Sequence, residues 1–100
     1  MAIGSPDYTP KILISGSNDE QLKVSVSDSD STGTFAQEIK SYLIFNDGPK
    51  AVHVKRDAEA TVNNFLIPSK SWIYVDLPVT VLHFICATGE TATVYLWGVF

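Results

Sequence analysis

The sequence predicts an all-β domain, an antiparallel β-sandwich or barrel of seven to eight short strands. Three observations carry this. β-rich runs recur about every ten residues along most of the chain. Turn signals separate them, among them Asn46-Asp47-Gly48-Pro49, Pro68-Ser69-Lys70 and Thr88-Gly89-Glu90. Several runs alternate apolar and polar residues, as strands with one buried face do.

Taken in order, residues 1–10 carry Gly4, Pro6 and Pro10 and read as an arm ahead of a single β domain over 11–100. Lys11-Ile12-Leu13-Ile14-Ser15 is a short strand, and 16–20 is a turn rich in Ser, Asn and Asp. Residues 21–27 form a half-buried strand, with Leu22, Val24 and Val26 on one face and Lys23, Ser25 and Ser27 on the other. Residues 28–34 read as a polar loop. Phe35, Ile39 and Leu43 have helical spacing, but Ser41-Tyr42-Leu43-Ile44-Phe45 is β-rich, so a strand is expected by Lys40 at the latest. That strand, the Asn46–Pro49 turn and Ala51-Val52-His53-Val54-Lys55-Arg56 predict a hairpin over 40–56. After a polar excursion at 57–64, Phe65-Leu66-Ile67 is a short strand. Residues 71–77 form the next, with Ile73, Val75 and Leu77 opposite Trp72, Tyr74 and Asp76. Residues 80–86 are apolar on both faces, which predicts a central strand covered twice, with Val81, Phe84 and Ile85 in the core. Residues 91–97 return with Ala92, Val94 and Leu96 inward and Thr93, Tyr95 and Trp97 outward.

The bulk properties narrow the function classes. One hundred residues make one domain. A hydrophobic content of 45% with 18% charged residues describes a folded chain rather than a disordered one. The net charge of −4 argues against a nucleic-acid partner, which asks for a basic face. No apolar run is long enough for a membrane-spanning helix, so no membrane partner is expected. The first residues lack the basic and apolar regions of a signal peptide, and synthesis and folding in the cytoplasm are expected. Cys86 is the one cysteine and stands in an apolar run, which predicts a buried, inert thiol.

Charge is uneven: residues 61–100 hold only Lys70, Asp76 and Glu90. Charge depletion with aromatic enrichment marks interface cores, and a tightly packed monomeric sandwich gives the same pattern. Self-association or docking is the reading taken. The chain closes on Tyr95-Leu96-Trp97-Gly98-Val99-Phe100, which places that end inside a sheet or against another molecule.

The candidate sites each have a plain structural alternative. Trp72 with Tyr74, and Tyr95 with Trp97, fall at i, i+2 on strand faces. If their strands are neighbours, four rings pave one surface for sugar stacking or a subunit contact; otherwise at least one pair fills the core, the alternative favoured here. Phe100 joins them as an interface candidate, and Ile3, Pro6 and Tyr8 as contacts of a docking arm. Asp28-Ser29-Asp30-Ser31-Thr32-Gly33 resembles the start of a calcium loop, but Ile39 stands where the bidentate glutamate belongs. A solvated acidic turn is the simpler reading, and neither metal nor other cofactor is expected. His53 and His83 lack metal-ligand spacing; an acid partner could still assemble in space, for example Asp76 or Asp57. Lys50, Lys55 and Arg56 form a small basic patch beside Asp57 and Glu59 and read as a solvated face or an ion pair. Without a nucleophile elbow, a phosphate loop or paired catalytic carboxylates, no enzyme is expected.

The run Asn46-Asp47-Gly48-Pro49-Lys50-Ala51-Val52-His53-Val54, followed by Phe65-Leu66-Ile67-Pro68, Val75-Asp76-Leu77 and the segment from His83 through Val94, resembles small β-sandwich virion proteins of tailed bacteriophages. These include capsid decoration (cement) proteins and tail or fibre accessory domains. The resemblance spans about residues 40–100. It implies a non-enzymatic part of the virion, made in the host cytoplasm. Its expected partners are itself, as a homotrimer, and the major capsid protein or tail proteins of a phage particle. No residue-level site follows from it. The alternatives are a tail, baseplate or fibre accessory protein, or a carbohydrate-binding module using the aromatic face.

Overall fold

The computed structural model describes residues 18–100. The strand expected at 11–15 and the arm at 1–10, with Ile3, Pro6 and Tyr8, lie outside the described residues. Eight strands are present: β1 Asp19–Val26, β2 Ser31–Ile39, β3 Ser41–Pro49, β4 Val52–Arg56, β5 Phe65–Ile67, β6 Trp72–Val75, β7 Val79–Ile85 and β8 Ala92–Val99. They form two four-stranded sheets, β1-β8-β3-β6 and β2-β7-β4-β5, with every pairing antiparallel. The fold is an all-β sandwich, as the turn spacing predicts.

The pairing is nested. β1 pairs with β8, β2 with β7, β3 with β6 and β4 with β5. The chain is thus one long hairpin, doubled back between β4 and β5 and rolled up so that β8 also meets β3 and β7 meets β4. Every connection except β4–β5 passes from one sheet to the other. This is the eight-stranded jelly roll.

The core lies between the sheets and is built by alternation. β1 turns Val24 and Val26 inward, β3 Ile44, and β8 Val94 and Leu96. β7 supplies Leu82, Phe84 and Cys86 from the end of its run. Burial pushes the Cys86 thiol pKa up, with the nearby Glu90 and Asp28 adding to the effect.

Several local expectations need correction. Asp19 and Glu20 belong to β1, not to a turn. Of the loop expected at 28–34, residues 31–34 already belong to β2, where they pair with β7. Phe35, Ile39 and Leu43 do not share a helix: β2 ends at Ile39 and β3 starts at Ser41 in the other sheet. β7 is interior to its sheet but has one buried face. Val81 and Ile85 are half-buried, and Leu82 takes the core place expected for Val81. Leu77 lies beyond β6 and is exposed.

The largest correction is the hairpin over 40–56. β3 and β4 are in different sheets, and Asn46–Pro49 is the bulged end of β3, still paired with β8; the chain crosses to the other sheet after it and makes no reversal within one sheet. Long-range bonds of one side chain explain it. Asn46 is fully buried; its Nδ2 donates to Lys50 O at 2.9 Å and Ile67 O at 3.0 Å, and its Oδ1 accepts from Gly48 N at 2.8 Å. These bonds tie the end of β3 to β5 of the opposite sheet. Gly48 sits at φ 82°, and a Cβ there would collide with the Ser69 hydroxyl, so glycine is required.

Candidate functional site: an aromatic sheet face

The outer face of the β1-β8-β3-β6 sheet gathers the aromatic residues. β3 lies between β8 and β6, and its register aligns their outward residues. One row across the sheet is Gln21, Trp97, Leu43 and Tyr74; the next is Lys23, Tyr95, Phe45 and Trp72. With strands about 4.8 Å apart, each row crosses about 14 Å. Trp72 is 61% exposed, Trp97 44% and Tyr95 42%, while Leu43, Phe45 and Tyr74 are half-buried between them. Neither aromatic pair fills the core. The reason is register: the inward places on these strands are taken by Ile44, Ile73, Val94 and Leu96. The exposed rings and the half-buried Leu43, Phe45 and Tyr74 thus lie side by side on one sheet face.

The β1 side of this face is polar and ordered. Trp97 Nε1 donates to Asp19 Oδ2 at 2.8 Å, and Gln21 Nε2 donates to the same oxygen at 3.3 Å. Lys23 Nζ stands 5.8 Å from the Tyr95 ring centroid, within cation–π range. A shallow depression of about 300 Å³ lies among Tyr95, Trp97, Leu43 and Phe45. Such a face offers stacking and apolar burial with a hydrogen-bonding rim. Phe100 parts from the other four candidates: it is half-buried against the core, and its backbone exchanges two hydrogen bonds with Asn18.

No family model, curated protein or solved structure matches the chain.

The polar candidates are occupied by structural bonds. His83 Nδ1 bonds Asp30 Oδ2 at 2.9 Å, so its acid partner is Asp30 and not Asp57 or Asp76. Asp30 Oδ1 also accepts from Ala60 N at 2.9 Å, which fastens the β1–β2 turn to the β4–β5 connection. Asp28 turns elsewhere and accepts from Gly89 N at 2.9 Å. His53 Nδ1 lies 2.9 Å from the Asn64 carbonyl, which requires the proton on that nitrogen. Among the described residues no group of three or more His, Cys, Asp or Glu side chains could hold a metal ion.

Burial works against the charged form of Asp30, but the Ala60 N–H and the His83 ring outweigh it and hold its carboxyl below its ordinary value. A lowered carboxyl pKa stabilises the fold above the unfolded-state value, and this is lost as pH falls through the folded one. Asp30→Asn is therefore expected to be less stable than the native chain at neutral pH. The gap should close as the pH drops below the ordinary carboxylate range. Urea melts of both proteins across pH check it; a gap that stays constant into acid contradicts the assignment.

A second feature escaped the sequence. At the β5–β6 side a cleft of about 560 Å³ opens between the sheets, with Arg56 among its lining residues. Arg56 is not part of a mixed ion-pair face: its Nη1 donates to the Pro78 carbonyl at 2.7 Å. Its only sequence signal is that it continues the inward alternation of Val52 and Val54.

Proposed function

We propose that the protein is a non-enzymatic structural component of a tailed-phage virion. In this reading it is a capsid decoration (cement) protein, made in the host cytoplasm and assembled onto the particle as a homotrimer. The observation that carries this is the outer face of β8, β3 and β6, where Trp72, Tyr95 and Trp97 stand in solvent on a rigid sheet. Large rings fixed on strands contribute strongly to interfaces because little side-chain freedom is lost on docking. The sequence resemblance over residues 40–100 supplies the setting. The jelly roll serves capsid proteins and lectins alike, so the choice rests on the face and not on the fold.

The test replaces Trp72, Tyr95 and Trp97 together by serine. All three side chains are exposed, so circular dichroism should be unchanged. Sedimentation should then show association weakened by at least about tenfold, and incorporation into particles should fall in parallel. Retention on tail proteins instead of the major capsid protein would move the assignment to a tail, baseplate or fibre accessory part.

The ordered rim of Asp19, Gln21 and Lys23 beside the rings favours a second reading, a carbohydrate-binding module. A native chain that stays monomeric at high concentration, binds no capsid or tail protein and retains a defined polysaccharide would replace the first reading with this one.

A further inference from the structure

The two sheets part at their β5–β6 side. β6 ends one sheet and β5 the other, and among the described residues neither has a neighbour beyond it. The cleft between them has the volume of a small-molecule site. One wall is Ile44 with its cross-strand partner Ile73; the other is Val54 with its partner Phe65. Ile44 is sealed in the core, but Ile73 and Val54 are half-buried and Phe65 is 63% exposed. These walls leave apolar surface in water.

The charged side chains that line the cleft, Lys55 and Arg56, are both cationic. The bond from Arg56 to the Pro78 carbonyl orients the guanidinium and uses one of its five N–H groups. Among the described residues no carboxylate lies within ion-pair distance of Arg56 or Lys55. Asp57, next in the chain, is engaged elsewhere: its Oδ1 accepts from Val81 N at 2.9 Å and Thr80 N at 3.2 Å. The Tyr42 phenol also lines the cleft. Burial raises its pKa to about 12, the Arg56 charge acts on it in the opposite sense and the Asp57 charge adds to the rise, so it keeps its proton at neutral pH and can donate.

The geometry points to a binding site independent of the aromatic face: the cleft takes an amphipathic carboxylate, its hydrocarbon body between the Ile44–Ile73 and Val54–Phe65 walls and its anionic head on Arg56. The walls bury a chain that a simple inorganic anion lacks. The oriented guanidinium selects a carboxylate over a neutral head, because planar N–H pairs match carboxylate oxygens. A cationic head would meet Arg56 and Lys55 with like charge.

The probe is octanoate, with octanol and octylammonium as neutral and cationic counterparts. Calorimetric titration of the full chain should give one octanoate per chain, weaker octanol binding and no octylammonium binding. Amide shifts in a ¹⁵N–¹H map should fall on β3, β4, β5 and β6. Arg56→Gln, at an exposed position, should keep the fold and weaken octanoate by at least about tenfold. Arg56→Lys should recover part of the affinity. The Tyr95→Ser, Trp97→Ser double variant should bind octanoate like the native chain even if it no longer assembles. Four results overturn the site: no octanoate binding, equal affinity for octanol, Arg56→Gln without effect, or shifts centred on Tyr95 and Trp97.

Discussion

Asn46→Asp is expected to destabilise the protein by about 3–5 kcal/mol at neutral pH, the scale of an uncompensated charge in a core. The exchange keeps the shape and removes both donors. Asn46 is fully buried, and its amide faces the carbonyls of Lys50 and Ile67 at 2.9 and 3.0 Å. An aspartate would set a negative oxygen against two carbonyl oxygens and leave both unpaired. The sign of the pH dependence follows. Burial and the facing carbonyls raise the folded-state pKa of the new carboxyl above its unfolded value of about 3.9. The damage is therefore smallest below that value, where the acid O–H restores one donor, and grows as pH rises through the folded pKa. Urea melts of both proteins at pH 4 and pH 7 measure this. Equal stability at neutral pH would mean that Asn46 does not hold the crossing between the sheets.

Phe84→Ala is expected to cost about 3–5 kcal/mol, by lost burial and the cavity left behind. Phe84 is fully buried on the inner face of β7, between Leu82 and Cys86 on the same side. Ile85 points to the other side and is half-buried. Ile85→Ala should cost less, about 1–2 kcal/mol, because a partly hydrated site loses less on truncation. Denaturant midpoints with unchanged slopes would report both. The reverse order of losses would mean that β7 faces the opposite way. Since small domains hold only about 5–15 kcal/mol in total, either core change removes a large share of it.

These two residues also mark how far local sequence reaches. β1 and β8 were legible because strict alternation assigns each side chain a face: Val24, Val26, Val94 and Leu96 are inward as expected. β7 was harder, because Val81 and Ile85 are as apolar as Leu82 and Phe84, and alternation carries no sign in a uniformly apolar run. The Asn46–Pro49 segment has the residues of a hairpin turn, yet its outcome depends on a bond from Asn46 to Ile67 that no local pattern records.

The aromatic face was half legible. Spacing placed Trp72 with Tyr74 and Tyr95 with Trp97, but only the insertion of β3 between their strands joins the pairs. Leu43 and Phe45, which complete the surface, carried no signal of their own. The cleft was not legible, since Arg56, Tyr42 and Phe65 meet through topology alone.

The nested pairing sets an order on biosynthesis. β8 lies between β1 and β3, so the last of the described strands is interior to a sheet that contains the first. Until β8 is made, β1 has no strand beside it in its sheet among the described residues, and the pairing of β2 with β7 has barely become possible. The inner pairs β4–β5 and β3–β6 can form before β8 is made, but the sheet that holds β1 closes only with β8. Its closing contacts span nearly the whole domain, and chains of such topology fold on the order of milliseconds to seconds. The outermost pairs are thus the last that can close, and until then the apolar inner faces of β1 to β7 are open to wrong contacts.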